Sequence, residues 1–198
     1  MELTVSPFLG VYLSGAILLV VAGVMKAARP GDTARALADL VPGPLGHHVR
    51  LRVAVRTGAV IEFGIGLCAL AFPRPWTALA VAVSYLGFTA VVTAARSAGG
   101  VLASCGCFGR ADTPATVLHL VINAVLAAGS GLVALGFLVW HDPARGSVLT
   151  VLGGQPWSGA PLLGLSALGA AVAYVAMAVM PAVQAARNPG MPTWRPGR

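Results

Sequence analysis

Charged side chains are scarce in this sequence. Lys, Arg, Asp and Glu supply only 10% of its 198 residues, while 57% of the residues are hydrophobic and the mean hydropathy is +0.83. A soluble domain carries roughly a quarter charged residues. A chain this poor in charge cannot cover a water-facing globule with polar groups, so its composition excludes the soluble class and indicates an integral membrane protein.

Acidic residues are scarcer than basic ones, six against thirteen, which leaves a net charge of +7. This excess does not indicate nucleic-acid binding, because no basic run is interleaved with aromatic side chains. The basic residues lie at the ends of apolar runs, where they orient a membrane protein and contact anionic lipid head groups. The sequence also lacks a phosphate-cradling glycine motif, a zincin motif and a serine nucleophile elbow.

Five apolar segments are long enough to cross a bilayer, which takes about 20 helical residues. They predict an all-α integral membrane fold, a four-helix transmembrane bundle with a fifth, C-terminal transmembrane helix at its side. The predicted spans are approximately 7–28, 53–72, 76–95, 114–140 and 160–186. We expect the four-helix unit to cover residues 1–140, a connecting segment and the fifth span to cover 141–187, and the Pro- and Gly-rich residues 188–198 to be disordered.

Three connections between the spans have a recognisable character. Residues 32–41 are predicted to form a short interfacial helix, and residues 147–155 an interfacial or partly re-entrant segment. The link Pro73-Arg74-Pro75 is so short that the second and third spans must form an antiparallel hairpin.

The distribution of Lys and Arg predicts the orientation of the spans. Eleven basic residues fall on one side and two on the other, and cytoplasmic loops carry the excess. The larger group is Lys26, Arg29, Arg35, Arg50, Arg52, Arg56, Arg96, Arg110, Arg187, Arg195 and Arg198, and the smaller is Arg74 and Arg145. We therefore expect a multi-pass protein of the cell membrane with its N-terminus outside, and with its C-terminus and the loop around residues 105–107 in the cytoplasm.

The chain has only three cysteines, and two of them flank one glycine in Cys105-Gly106-Cys107. A disulfide between thiols so close closes a small, strained ring, and strain makes the bond labile. Arg110 and the start of the next helix favour the thiolate, the form that attacks a disulfide. The spacing favours thiol–disulfide exchange; the alternatives are a soft-metal site shared with His119, or two unreactive loop thiols. Cys68 is predicted to be a small buried hydrophobe.

Four polar residues of the spans are candidates to support that chemistry. A carboxylate inside a span, such as Glu62, usually faces the bundle interior, and His119 and Asn123 share one helix face because they are four residues apart. If the helix faces converge, these three residues and Lys26 form a polar pocket beneath the cysteines, in which His119 acts as a base for a thiol. The alternatives are a snorkelling anchor for Lys26, a structural hydrogen-bond hub for Glu62 and a packed side chain for His119.

These residues carry a family resemblance. A four-helix membrane unit with Lys26 at the end of its first span, Glu62 in its second and Cys-Gly-Cys-Phe-Gly at 105–109 resembles the methylamine utilisation protein MauE family, within the DoxX-like group of redox-associated membrane proteins. The resemblance covers about residues 5–140. Members often have Arg-Asn in the fourth helix, where this chain has Ile122-Asn123, so any role of that arginine does not carry over.

The resemblance implies a part in disulfide handling for extracytoplasmic proteins, beside a thioredoxin-like partner. In methylamine users the client is a disulfide-rich dehydrogenase subunit. We therefore expect a membrane thiol–disulfide redox protein, in which the cysteine pair exchanges electrons with a thiol partner or a bound quinone. The other hypotheses are a soft-metal-binding membrane protein and a non-catalytic assembly subunit.

Overall fold

The computed structural model describes residues 6–38, 48–97, 116–139, 152–180 and 183. Every regular element in these ranges is a helix, and five helices are long and apolar enough to cross a membrane. The predicted all-α membrane fold with five spans is thus confirmed. Cys105, Cys107 and the predicted disordered tail, 188–198, lie outside the described residues.

The helices follow the apolar segments closely. They are α1 (Ser6–Ala28), α2 (Pro30–Ala38), α3 (His48–Ala71), α4 (Pro75–Ser97), α5 (Val117–Val139) and α6 (Ala160–Tyr174), and α6 continues as the π-helical segment Val175–Val179. The short helix α2 begins at Pro30, a residue favoured in a first turn. Helix α3 begins at His48 and not at the predicted Val53. Hydropathy locates only the apolar part of a helix, and here the polar residues before Val53 are helical as well.

α1 is the central helix of the bundle. It contacts α3, α4, α5 and α6, and 56% of its apolar window is buried, against 17–39% for the other four spans. Its buried side chains include Tyr12, Leu13 and Leu19. The other spans turn large apolar side chains outward, as helices do whose outer faces meet lipid and not water.

Two glycines let α1 and α3 approach closely. A Cβ atom on Gly23 would lie 2.7 Å from the carbonyl oxygen of Ala59, and one on Gly66 would lie 2.7 Å from the Val20 side chain. Small residues permit such backbone approach in membranes, where helices gain little from burying apolar surface against each other. The short distance between α1 and α3 therefore depends on the absence of side chains at Gly23 and Gly66.

Buried hydroxyl groups tie the other helices to α1. The Tyr12 hydroxyl donates to the Ala69 carbonyl at 2.8 Å and lies 3.2 Å from Thr77 Oγ1, which joins α1 to the α3–α4 hairpin. Ser14 Oγ lies 2.9 Å from the Ser166 carbonyl oxygen, which joins α1 to α6. No water competes for these hydroxyl groups within hydrocarbon, so they bond to the backbone of neighbouring helices.

The five spanning helices alternate in direction. α6 accordingly runs parallel to α1, since Gly10 meets Leu162 and Ser166 while Ser14 meets Gly169. The ends of α1, α4 and α6 and the starts of α3 and α5 therefore share one end of the bundle. We call it the α2 face, because α2 packs there against α3. The chain that carries the cysteine pair leaves α4 and enters α5 at this face.

Candidate functional site

Lys26 and Glu62 form a buried ion pair between α1 and α3. The ammonium nitrogen lies 2.8 Å from each carboxylate oxygen, and only 7% of the lysine side chain and 16% of the glutamate side chain are exposed. A charge inside a span is costly unless it finds a partner, and each of these residues is the other's partner. Lys26 thus points into the bundle, and its interpretation as a snorkelling anchor is wrong.

Aromatic side chains of α4 cover this ion pair. The ammonium nitrogen of Lys26 lies 4.4 Å from the centroid of the Phe88 ring, a cation–π distance. Tyr85 packs edge-on against Phe88, with ring centroids 5.6 Å apart and planes at 83°. The Tyr85 hydroxyl donates to the Gly15 carbonyl of α1 at 2.8 Å, so the aromatic wall is itself fixed to the central helix.

His119 is buried at the start of α5, where its Nδ1 atom has two hydrogen-bond contacts. Its Nδ1 atom lies 2.8 Å from Thr116 Oγ1 and accepts the Thr116 backbone N–H at 3.3 Å. The imidazole also lies near the backbone of Met177, in the π-helical segment. Its side chain is 1% exposed. In this arrangement His119 is a packed residue held by its neighbours, and action as a base would require one of these bonds to open.

The ion pair and His119 lie at the same depth in the bundle. Gly23 faces the turn between Ala59 and Phe63 across the α1–α3 contact, and Gly15 faces Leu126 across the α1–α5 contact. Counting along these antiparallel pairs places both Glu62 and His119 level with residue 22 of α1. Their bonded partners differ, however: the ion pair is enclosed by α1, α3 and α4, whereas His119 is held by α5 and α6. The ion pair and His119 are therefore two bonded groups at one level, and their convergence into a single pocket stays a prediction.

Two further polar side chains of α5 are buried. Asn123, one turn deeper than His119 on the same face, is 3% exposed. Ser130 is fully buried, and its hydroxyl makes no hydrogen bond within the part of the chain that the structure describes. The predicted shared face of His119 and Asn123 therefore turns into the protein and not into lipid.

Of the three cysteines, the structure describes only Cys68. Cys105 and Cys107, predicted to be the redox pair, lie outside the described residues, and so the structure gives no contact for them. Cys68 has a free thiol and is exposed on α3, so the prediction that it is a small buried hydrophobe is wrong. Apolar character alone does not say which face of a span turns inward, because lipid accepts the same side chains as the core. Within the described ranges no three His, Cys, Asp or Glu residues come together as a metal site.

A separate groove lies at the α2 face between α2 and α3. Its volume is about 430 Å³, and its lining residues are Gly31, Asp32, Ala34, Arg35 and Arg52. Arg35 forms an ion pair with Asp32, three residues earlier on the same helix. The groove belongs to the basic end of the bundle.

Sequence reasoning did not find Tyr85, Phe88 or Met177. Tyr85 and Phe88 are three residues apart, the spacing of one helix face, and this was the one available signal in a span without charge. Met177 acts through its backbone, and so its side-chain type carries no signal at all.

The comparison with protein families agrees with this architecture. The model of the family described as methylamine utilisation protein MauE matches residues 5–139. The chain belongs to the MauE family. No curated protein and no solved structure gave a significant match. The match covers α1 to α5, including the ion pair, His119 and Asn123, whereas α6 lies outside it.

Proposed function

We propose that this MauE-family protein is a membrane thiol–disulfide redox protein that uses Cys105 and Cys107. The thiolate of one cysteine attacks a disulfide of a thioredoxin-like partner, and one partner thiol leaves. The second cysteine then displaces the remaining partner sulfur and closes the Cys105–Cys107 disulfide. Two electrons and two protons pass to the partner in this direction, and the reverse reaction oxidises it. With the cysteine pair at the cytoplasmic face, the protein would draw cytoplasmic reductant and relay it across the membrane for the maturation of extracytoplasmic proteins.

The observation that carries the proposal is the buried Lys26–Glu62 pair. It lies near the α2 face, the end of the bundle at which the chain with the cysteine pair leaves α4 and enters α5. A buried ion pair often lowers stability relative to apolar residues of the same size, and ionisable residues kept inside spans are typical of function. Because the ammonium and the carboxylate neutralise each other, two ionisable groups are kept inside the bundle near the chain that carries the cysteine pair.

Trapping the oxidised form in cells tests this proposal. Free thiols are blocked by acid quenching and alkylation, disulfides are then reduced, and newly freed thiols receive a mass tag. We use the Cys68→Ser variant as the parent, so that only Cys105 and Cys107 are counted. We expect a fraction that gains two tags after reduction, and a changed oxidised fraction in Glu62→Gln. If every molecule stays fully reduced under all growth conditions, the redox proposal is wrong.

The same variants separate the other hypotheses. Stoichiometric copper or zinc in the purified protein, lost in Cys105→Ser, would favour soft-metal binding. Unchanged function of a Cys105→Ser, Cys107→Ser double variant would favour an assembly subunit, in which the bundle and not the thiols matters. We also propose that the cysteine pair faces the cytoplasm, because the basic residues lie mainly on its side.

A further inference from the structure

The groove between α2 and α3 carries more positive charge than its acidic residue can neutralise. It holds two arginines and one aspartate around a volume of about 430 Å³. Asp32 pairs with Arg35, whereas Arg52 makes no ion pair or hydrogen bond with the residues that the structure describes. The groove therefore offers a guanidinium with unused donors, and the planar fork of such a group matches the oxygens of a phosphate.

Gly31 gives this guanidinium its place against α2. A Cβ atom at Gly31 would lie 3.5 Å from Nη2, 3.9 Å from Nε and 4.0 Å from Cζ of Arg52. The Arg52 side chain thus reaches from α3 across to the first turn of α2, where a glycine leaves room for it. Its charge is therefore held within the groove and is not simply displayed on the outer surface of α3.

The groove lies at the level of lipid head groups. Gly23 of α1 faces the turn 59–63 of α3. Counting along this antiparallel pair puts Arg56 level with Ala28, where the first apolar span ends. Arg52 is one turn, about 6 Å, further out. The polar layer on each side of a bilayer is about 5–8 Å thick, so the groove opens where the phosphates of lipids are found.

The side of α3 that begins with Arg52 changes from charged to apolar with depth. Arg52, Arg56 and Val60 follow one another at four-residue spacing, and so neighbours in this series share one side of the helix. Both arginines are exposed, and Val60 is 60% exposed. A ligand that matches this series is anionic at one end and apolar at the other, which a phospholipid is and a free phosphate ion is not.

We propose that the groove between α2 and α3 is a binding site for one anionic phospholipid of the surrounding bilayer. The head-group phosphate contacts the guanidinium of Arg52, and an acyl chain lies along α3 past Val60. A basic groove at the membrane surface attracts anionic lipids in preference to zwitterionic ones. This inference does not depend on the redox activity of the cysteine pair.

Native mass spectrometry of the full-length protein in detergent micelles tests the site. Phosphatidylglycerol and phosphatidylcholine with identical acyl chains are titrated separately, and the lipid that stays bound to the protein is counted. We expect saturable binding of one phosphatidylglycerol molecule, at a lower concentration than phosphatidylcholine requires. Equal binding of the two lipids would overturn the proposal.

Variants that change one charge locate the site. Arg52→Gln should weaken phosphatidylglycerol binding about fivefold, the effect of one basic residue at an anionic surface. Arg74→Gln is the matched control, because Arg74 is equally exposed but lies at the opposite end of the bundle, and it should change binding by less than about twofold. Asp32→Asn frees Arg35 and should tighten binding about fivefold, a gain that misfolding cannot produce. Equal losses in the two arginine variants, or no gain in Asp32→Asn, would contradict the proposal.

A charge-neutral variant separates a built groove from general surface charge. Gly31→Leu places a bulky side chain against the Arg52 guanidinium and should abolish the preference for phosphatidylglycerol. Gly31→Ala is its control, because a Cβ there makes only an ordinary contact at 3.5 Å and should leave the preference in place. A preference that survives in Gly31→Leu would show that the groove is not the site.

Competition distinguishes a lipid from a free phosphate ion. Inorganic phosphate and glycerol phosphate, each added at the concentration of the lipid, should not displace phosphatidylglycerol, because neither has an acyl chain to lie along α3. Displacement by either competitor would overturn the assignment to a lipid. The mass-tag result for Cys105 and Cys107 bears on the proposed function alone, so the two proposals can fail separately.

Discussion

Glu62→Gln removes the carboxylate that neutralises Lys26 and leaves the ammonium buried in an apolar bundle. Breaking a buried ion pair from one side costs about 3–5 kcal/mol, and a charge at the centre of a span costs about 2.5–3.5 kcal/mol on insertion scales. Solvent screening is small, because the two side chains are only 7% and 16% exposed. The ammonium keeps its contact with Phe88, and a cation–π contact returns about 0.5–2 kcal/mol.

We therefore expect Glu62→Gln to lower the free energy of unfolding by about 2–3 kcal/mol. This corresponds to a factor of about 30–160 in the ratio of folded to unfolded protein. Lys26→Met should cost more, because the stranded carboxylate has no aromatic face to contact. The double variant should cost less than the sum of the two single variants by about 2 kcal/mol or more, since it leaves no unpaired charge.

Reversible denaturant unfolding of the four proteins in detergent micelles measures this double-mutant cycle. Val60→Ala on the lipid-facing side of α3, where Val60 is 60% exposed, is the control and should shift stability by no more than about 0.5 kcal/mol. If the two single variants are additive, or if Glu62→Gln unfolds like the parent protein, then the ion pair does not hold α1 to α3 and the reasoning is refuted.

Three further outcomes are expected. Gly66→Ala should lower the unfolding free energy by about 1–3 kcal/mol, because its Cβ would meet the Ala16 carbonyl at 2.8 Å. Gly64→Ala is the control and should not lower it, because Gly64 has open space around it. Equal effects of the two variants would contradict the close approach of α1 and α3. Cys68→Ala should change stability by less than about 0.5 kcal/mol in the same unfolding assay, since the thiol is exposed, and a loss above 1 kcal/mol would show that it is packed. An impermeant thiol reagent should not label Cys105 or Cys107 in intact cells but should label both after permeabilisation and reduction; labelling of intact cells would reverse the proposed orientation.

Much of the fold could be predicted because hydropathy and length act locally. Each span needs about 20 apolar residues whatever its neighbours are, and the short link at 73–75 imposes a hairpin on α3 and α4. The family, too, was recognisable from Lys26, Glu62 and the motif at 105–109, and the family match over residues 5–139 confirms it. Which face of each span turns inward was not predictable in this way, as the exposed thiol of Cys68 demonstrates.

The sequence indicated which polar residues of the spans turn into the bundle, but not which residues they bond to. Lys26, Glu62, His119 and Asn123 are all buried or largely buried in the bundle. Helical periodicity places His119 and Asn123 on one face, but it contains no information about which other helix that face meets. The contact of His119 with the backbone of Met177 joins residues 58 positions apart, and no side-chain pattern signals a contact with a backbone.

The sequence by itself determined that this chain has five spans, that two of these spans carry a charged residue, Lys26 and Glu62, and that two of its three cysteines stand in one tripeptide. These properties follow from composition and local spacing. Only the tertiary structure decided that Lys26 bonds to Glu62, that Phe88 and Tyr85 cover the pair, and that His119 bonds to Thr116 and lies near Met177. The physical reason is that an unpaired charge or hydrogen-bond donor in hydrocarbon must find whichever partner the packing of the helices brings within about 3 Å.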